Sequence, residues 1–266
     1  MHMHYLGKCF LTACLLVGFA AGCGSSSSSS SGGSTRSGGT LTVDAAASLT
    51  GAFTELATTF SQQHPGWKVV NNFNGTDQLA AQVEAGQKAD VFASASTKYG
   101  EQLQSKNLLG PTKNFATNTL VIVVPASNPA GITSYHNLVS KQPKLVIGDP
   151  TVPVGSYTEQ VLANLGIKES QLNIVSKEVD VKSVLAKITT GAADAGFVYI
   201  TDALSAGDQV KQVKFPEAAQ ATATYPIGVL TDSSNKEAAQ WWINLVLSPT
   251  GQAVLKKLGF GAPPSS

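Results

Sequence analysis

Ser48 stands where an apolar strand pattern, Leu41-Thr42-Val43, passes through Ala45-Ala46-Ala47 into a helical pattern opening at Leu49-Thr50-Gly51-Ala52-Phe53. A hydroxyl at such a junction has two uses. It can cap the helix, taking one of the backbone N–H groups that the first turn leaves unpaired. It can instead donate its own proton to a guest beyond the helix end, where the free N–H groups and the positive pole of the helix dipole favour an anion. Thr76 sits in a second polar turn, Asn74-Gly75-Thr76-Asp77, and Val154-Gly155-Ser156 forms a third small or polar strand end ahead of a helix. One such end is unremarkable. Three of them, drawn from distant parts of the chain, suggest donors converging on one anion.

The rest of the inventory narrows the chemistry. Arg36 is the only arginine, and it precedes the first strand. The folded part therefore has no guanidinium fork for a carboxylate or phosphate, and an anion there must be held mainly by neutral donors. Net charge is +1, which leaves no electrostatic footprint for nucleic acid. Beyond the first residues the only histidines are His64 and His136, both beside turn residues. There is no Gly-x-Ser-x-Gly elbow and no His/Cys cluster with metal-ligand spacing, so a secreted hydrolase has little to work with.

The elements that must position these donors alternate as strand and helix, the pattern of a parallel α/β sheet. Strands are expected at Leu41–Ala45, Trp67–Phe73, Ala89–Ala93, Leu120–Val124, Lys144–Ile147, Ala195–Tyr199 and Thr222–Leu230. Helices are expected at Thr50–Gln63, Leu79–Ala85, Lys98–Lys106, Ser156–Leu165, Val181–Thr190, Lys236–Leu247 and Thr250–Leu258. In the first, Phe53, Leu56, Ala57 and Phe60 recur at helical spacing, and His64-Pro65-Gly66 ends it. Leu120–Val124 and Thr222–Leu230 read as crossovers between two lobes, 40–122 with 226–262 and 123–225. In open α/β sheets ligands bind beyond the carboxyl ends of the strands, which here means the cleft between the lobes.

The first residues read as an address rather than as fold. Residues 1–22 combine Lys8, an apolar stretch from Phe10 to Ala21 too short to span a bilayer, and small residues before Cys23. Ala20-Ala21-Gly22-Cys23 resembles a bacterial lipobox, in which the cysteine is lipidated and becomes the new first residue. Residues 23–39 hold the unbroken run Ser25 to Ser31 with glycines beyond it, a tether with a reach of roughly 20–25 Å. Cys9 and Cys14 would leave with the signal segment, so the mature monomer has no disulfide. The expected location is extracytoplasmic, on a lipid anchor to the cell membrane.

At this point the motifs become recognisable as a set. Val43-Asp44-Ala45-Ala46-Ala47-Ser48-Leu49-Thr50 resembles the opening motif of the periplasmic molybdate-binding proteins, the substrate-binding components of molybdate ABC importers. Glu84 to Ala95, Gly148-Asp149-Pro150 with Val152 to Tyr157, Glu178 to Val181, Gly196 to Ala203, Tyr225-Pro226-Ile227 and Gly259-Phe260 follow in that family's order. Their order and spacing make the set specific. The resemblance implies an α/β, two-lobe periplasmic binding protein-like (type II) fold with a ligand cleft between lobes. It implies a binding protein and no enzyme, with no cofactor and no bare metal ion. The metal arrives as an oxyanion, molybdate and by the same geometry tungstate, and passes to a membrane permease; the chain is expected to be a monomer.

Carried over by position, Ser48 is the first-lobe serine of the family and Thr76 its second first-lobe hydroxyl, usually serine. Val154 and Val181 match positions that donate backbone N–H groups, and Tyr199 matches the tyrosine whose hydroxyl closes the site. Molybdate at neutral pH is a tetrahedral dianion with acceptors only, which suits a pocket of donors without cations. Asp77 stands where small hydroxyl residues are common. A carboxylate facing the guest would repel a dianion, or would accept a proton from hydrogen phosphate, the basis of an alternative phosphate or sulfate reading. The expectation is that Asp77 points outward and caps a helix starting near Gln78.

Overall fold

The computed structural model describes residues 38–264; the expected signal segment, Cys23 and the serine run lie outside them. The first sheet is built from β1 (Gly39–Ala46), α1 (Thr50–Gln63), β2 (Trp67–Asn74), α2 (Thr76–Glu84), β3 (Val91–Ala93), α3 (Thr97–Ser105) and β4 (Lys113–Asn118). β1 pairs in parallel with both β2 and β3, with Val43 opposite Asn71 and Val91. α1 buries Ala52, Phe53, Leu56 and Phe60 at helical spacing and stops before Pro65, where Gly66 takes a φ of 91°. Gly39, expected at the end of the tether, is already the first residue of β1.

The chain then enters a second sheet. Its elements are β5 (Leu120–Pro125), α4 (Asn137–Ser140), β6 (Leu145–Gly148), α5 (Pro153–Asn164), β7 (Ile174–Glu178), α6 (Val181–Thr189), β8 (Ala195–Tyr199), α7 (Ile200–Ala206) and β9 (Val210–Val213). β10 (Ala223–Val229) returns to the first sheet, and α8 (Lys236–Leu247) and α9 (Pro249–Lys257) pack beside α1. The strand orders are β2-β1-β3-β10-β4 and β7-β6-β8-β5-β9. The outgoing crossover is the single residue Thr119, and the return lies between Val213 and Ala223.

Neither sheet is purely parallel, and here the structure corrects the sequence reading. β10 runs antiparallel to β3 and β4, and β5 runs antiparallel to β8 and β9. The cause is the route of the chain. A strand arriving from the other sheet enters at the edge where the parallel strands end, so it must run against them. Leu120, the first residue of β5, lies opposite Tyr199, the last of β8. Five further elements were not expected from the sequence: β4, α4, β7, α7 and β9.

The first-lobe core gathers around Trp242, which is fully buried. Phe53 and Phe60 meet its ring edge-on at centroid distances of 5.2 and 5.8 Å. Trp241, one position earlier, is half-buried and stacks on His64 at 4.6 Å.

Candidate functional site

Between the sheets lies a cavity that is partly open to solvent. Ser48, Thr76, Val154, Val181 and Tyr199 all line it, so the structure brings together every residue that the sequence singled out for an anion. Asn74, Gly75, Ala95, Val152 and Asp180 line it as well.

Ser48 does not cap α1. A 3-10 turn, Ala47–Leu49, is interposed between strand and helix, and the N-cap position falls on Leu49 without a side-chain hydrogen bond. The extra turn rotates the hydroxyl away from the α1 amides, and Ser48 Oγ lies 2.9 Å from Tyr225 Oη. Thr76 is the first residue of α2, three positions before the expected start, with Gly75 as N-cap. Its Oγ1 accepts the Ala95 N–H at 3.2 Å. That bond occupies a lone pair and leaves the hydroxyl proton for another acceptor.

The second sheet contributes helix ends. α5 begins at Pro153, three residues before the expected Ser156, with proline at its first position where its missing N–H is no loss. Val154 follows it inside the first turn, so its N–H has no acceptor within the helix. α6 begins at Val181 behind Asp180, whose carboxylate accepts the Ser183 N–H at 2.7 Å. That capping bond holds the Asp180 charge on its own helix. Tyr199 ends β8, is 2 % exposed, and its Oη has no hydrogen-bond partner among the described residues. Burial holds the phenol well above its ordinary pKa, so it stays protonated and can only serve as a neutral hydroxyl.

Charge near the cavity is paired or set aside. Lys182, next in the chain to Val181, lies 2.8 Å from the buried Asp202 carboxylate. Asp77 is neither N-cap nor cavity lining. It sits in the first turn of α2, half-buried, with Oδ1 enclosed beside Gly75. Burial raises its pKa, and the charges of Asp149 and Asp180 push it further up. The outward N-cap expected at Asp77 is thus corrected: the helix starts earlier than its apolar pattern, and Gly75 takes the capping place.

Two residues behind the cavity escaped the sequence reading. Tyr225, on β10, is fully buried with its ring edge-on to Phe115 and Phe260. Asn118, at the end of β4, donates Nδ2 to Thr201 Oγ1 at 2.9 Å and to Tyr225 Oη at 3.4 Å. Tyr225 was visible only as part of a motif, and Asn118 carried no signal at all.

Two mixed α/β sheets joined by two crossovers, with a donor-lined cavity between them, define a two-lobe periplasmic binding protein-like (type II) fold. The chain belongs to the bacterial extracellular solute-binding proteins, whose family model matches residues 41–261. It is 41% identical to the molybdate-binding protein ModA of Mycobacterium tuberculosis over 95% of this chain and 97% of that protein. Among solved structures, the substrate-binding domain of a putative molybdenum ABC transporter from Clostridium difficile is 31% identical with a TM-score of 0.65, covering 85% of this chain and 99% of that one. The periplasmic molybdate-binding protein of Azotobacter vinelandii superposes with a TM-score of 0.75 at 23% identity, over 84% and 100% of the two chains.

Proposed function

We propose that this chain is the solute-binding component of an ABC importer and captures molybdate, with tungstate as an equivalent guest, for delivery to a membrane permease. The observation that carries this reading is the set of hydroxyls at one cavity. Ser48, Thr76 and Tyr199 come from three different strand ends, and Tyr199 Oη is buried without a partner. A buried hydroxyl left unpaired costs about 1–3 kcal/mol, which a guest with acceptor oxygens would recover. The N-termini of α2, α5 and α6 add dipoles of the right sign. Asp77 stands outside the lining, and Asp180, the carboxylate within it, accepts the Ser183 N–H as the cap of α6.

In this reading the protein binds and releases its guest unchanged. Val154 and Val181 act through backbone N–H groups, and the lobes 40–122 with 226–262 and 123–225 close about the two crossovers. Cys23 carries lipid, and the serine-rich stretch tethers the domain outside the cell membrane. Thermal unfolding with and without oxyanion tests the assignment. Molybdate at a thousandfold excess over Kd stabilises by about 4 kcal/mol, which raises Tm by roughly 8–16 °C for a chain of this size. A shift with phosphate or sulfate and none with molybdate overturns it.

A further inference from the structure

Ser48 is one end of a hydrogen-bonded chain that leads away from the cavity. Its order is Ser48 Oγ, Tyr225 Oη, Asn118 Nδ2 and Thr201 Oγ1. Chemistry fixes the direction of the two bonds that Asn118 makes. Asn118 Oδ1 accepts the Thr119 N–H at 3.0 Å, which fixes the amide orientation and leaves Nδ2 to face Thr201 and Tyr225. An amide N–H can only donate, so it takes one lone pair of Tyr225 Oη. Tyr225 Oη keeps its proton and a second lone pair, and Ser48 Oγ lies 2.9 Å away, so either oxygen can be the donor in that bond. With Tyr225 as the donor, Ser48 has its own proton for the cavity it lines.

We propose, resting on the oxyanion reading of that cavity, that Tyr225 is a positioning residue that fixes Ser48 as a donor and so selects fully deprotonated oxyanions against those carrying a proton. A free serine hydroxyl can rotate and accept. It would then tolerate the O–H of hydrogen phosphate. With Tyr225 donating to it, Ser48 offers a proton where that guest also has one, and two donors meet without an acceptor. Burial keeps the Tyr225 phenol well above its ordinary pKa, so it holds the proton that this role needs at any pH at which the protein is folded. Thr76 is arranged alike, its acceptor side occupied by Ala95 N–H, but by backbone that no side-chain change can remove. Tyr225 is therefore where selectivity can be altered with the cavity lining intact.

The test is titration calorimetry of molybdate, with hydrogen phosphate measured by competition, on the full chain and on Tyr225→Phe, Ser48→Ala and the double variant. Phenylalanine keeps the ring that packs on Phe115 and Phe260, and an unchanged ligand-free Tm checks that the fold is kept. Tyr225→Phe is expected to weaken molybdate by about three- to tenfold, the range of one neutral hydrogen bond. Hydrogen phosphate should hold or improve, so the ratio of the two affinities falls. In the Ser48→Ala background Tyr225→Phe should cost nothing more, because its effect passes through Ser48. Proportional weakening of both anions, or additive losses in the double variant, overturns the proposal. An unchanged Tyr225→Phe overturns it alone; a wild-type chain that ignores molybdate overturns the assigned function and this inference with it.

Discussion

The phenolic hydroxyl of Tyr99, on α3, donates to the backbone carbonyl of Thr151, just ahead of α5. Tyr99 belongs to the first lobe and Thr151 to the second, so this bond closes the cleft beside the cavity without touching its lining. It exists only while the lobes are together. In a hinged binding protein such a contact adds to ligand affinity, because the guest and the latch both favour the closed form. Tyr99→Phe should therefore raise the oxyanion Kd by roughly two- to tenfold, the worth of one hydrogen bond of about 0.5–1.5 kcal/mol. Stopped-flow measurement should place the change in the off-rate. An equal loss in Tm without ligand would show that Tyr99 serves folding instead.

Gly75 makes a second contact between the lobes, this one steric. A Cβ at this position would stand 2.5 Å from Val179 O and 2.7 Å from Asp77 Oδ1, with Val152 Cγ1 at 3.5 Å. Val179 and Val152 belong to the second lobe. The backbone of Gly75, φ −56° and ψ 137°, is open to any residue, so the glycine is there for room and not for conformation. Gly75→Ala should hold the lobes apart. Oxyanion affinity is expected to fall at least about tenfold, equivalent to 1.4 kcal/mol. The ligand-free Tm should change little, since in the open form only the Asp77 side chain has to give way to the methyl.

How much of this was legible depends on what each residue does locally. α1, α8 and β8 have the bounds expected from sequence, because apolar spacing and breakers such as His64-Pro65-Gly66 mark them from within. α2 and α5 begin three residues before their apolar patterns. Their first turns face the cavity with Thr76 and Val154, and a turn that serves a guest has no reason to keep the core's period. β4, Lys113–Asn118, has two exposed residues at its start and no alternation. Ser48 and Thr76 were legible at the cavity from residue type and junction, whereas Val154, Val181 and Tyr199 were assigned only through the family resemblance. Their supports were not legible. Ser48 and Tyr225 are 177 positions apart, and no local pattern predicts a bond over that separation.

Trp242 anchors the packing of α8 against α1. Its ring is fully buried and meets Phe53 and Phe60 edge-on. Trp242→Ala leaves a large void beneath both and should cost about 3–5 kcal/mol. At about 2–4 °C per kcal/mol, Tm falls by roughly 6–20 °C. Trp242→Phe should cost much less than the alanine change. It keeps most of the aromatic volume and removes an indole N–H that has no partner among the described residues. Calorimetry of the two variants side by side checks the ranking. If phenylalanine proves as damaging as alanine, the edge-on contacts matter more than volume.

Asp77 gives the cleft a pH dependence whose sign can be worked out. Burial beside Gly75 raises its carboxyl pKa first, and the Asp149 and Asp180 charges facing it from the second lobe add to the rise. A carboxyl whose pKa is raised on folding binds its proton more tightly in the folded state. Its stabilising contribution is full below the ordinary aspartate value of about 3.9 and is lost as pH climbs through the raised one. At neutral pH the ionised Asp77 therefore works against the closed lobes. Asp77→Asn removes that penalty while keeping size and shape. The variant should melt above the wild type at pH 7, and the gap should shrink at pH 3, below the ordinary aspartate value, where Asp77 is largely protonated in both states. Added salt at pH 7 should narrow the gap too, because part of the penalty is repulsion between partly exposed charges. A gap that stays the same at both pH values would assign the gain to the amide's hydrogen bonds and not to the lost charge.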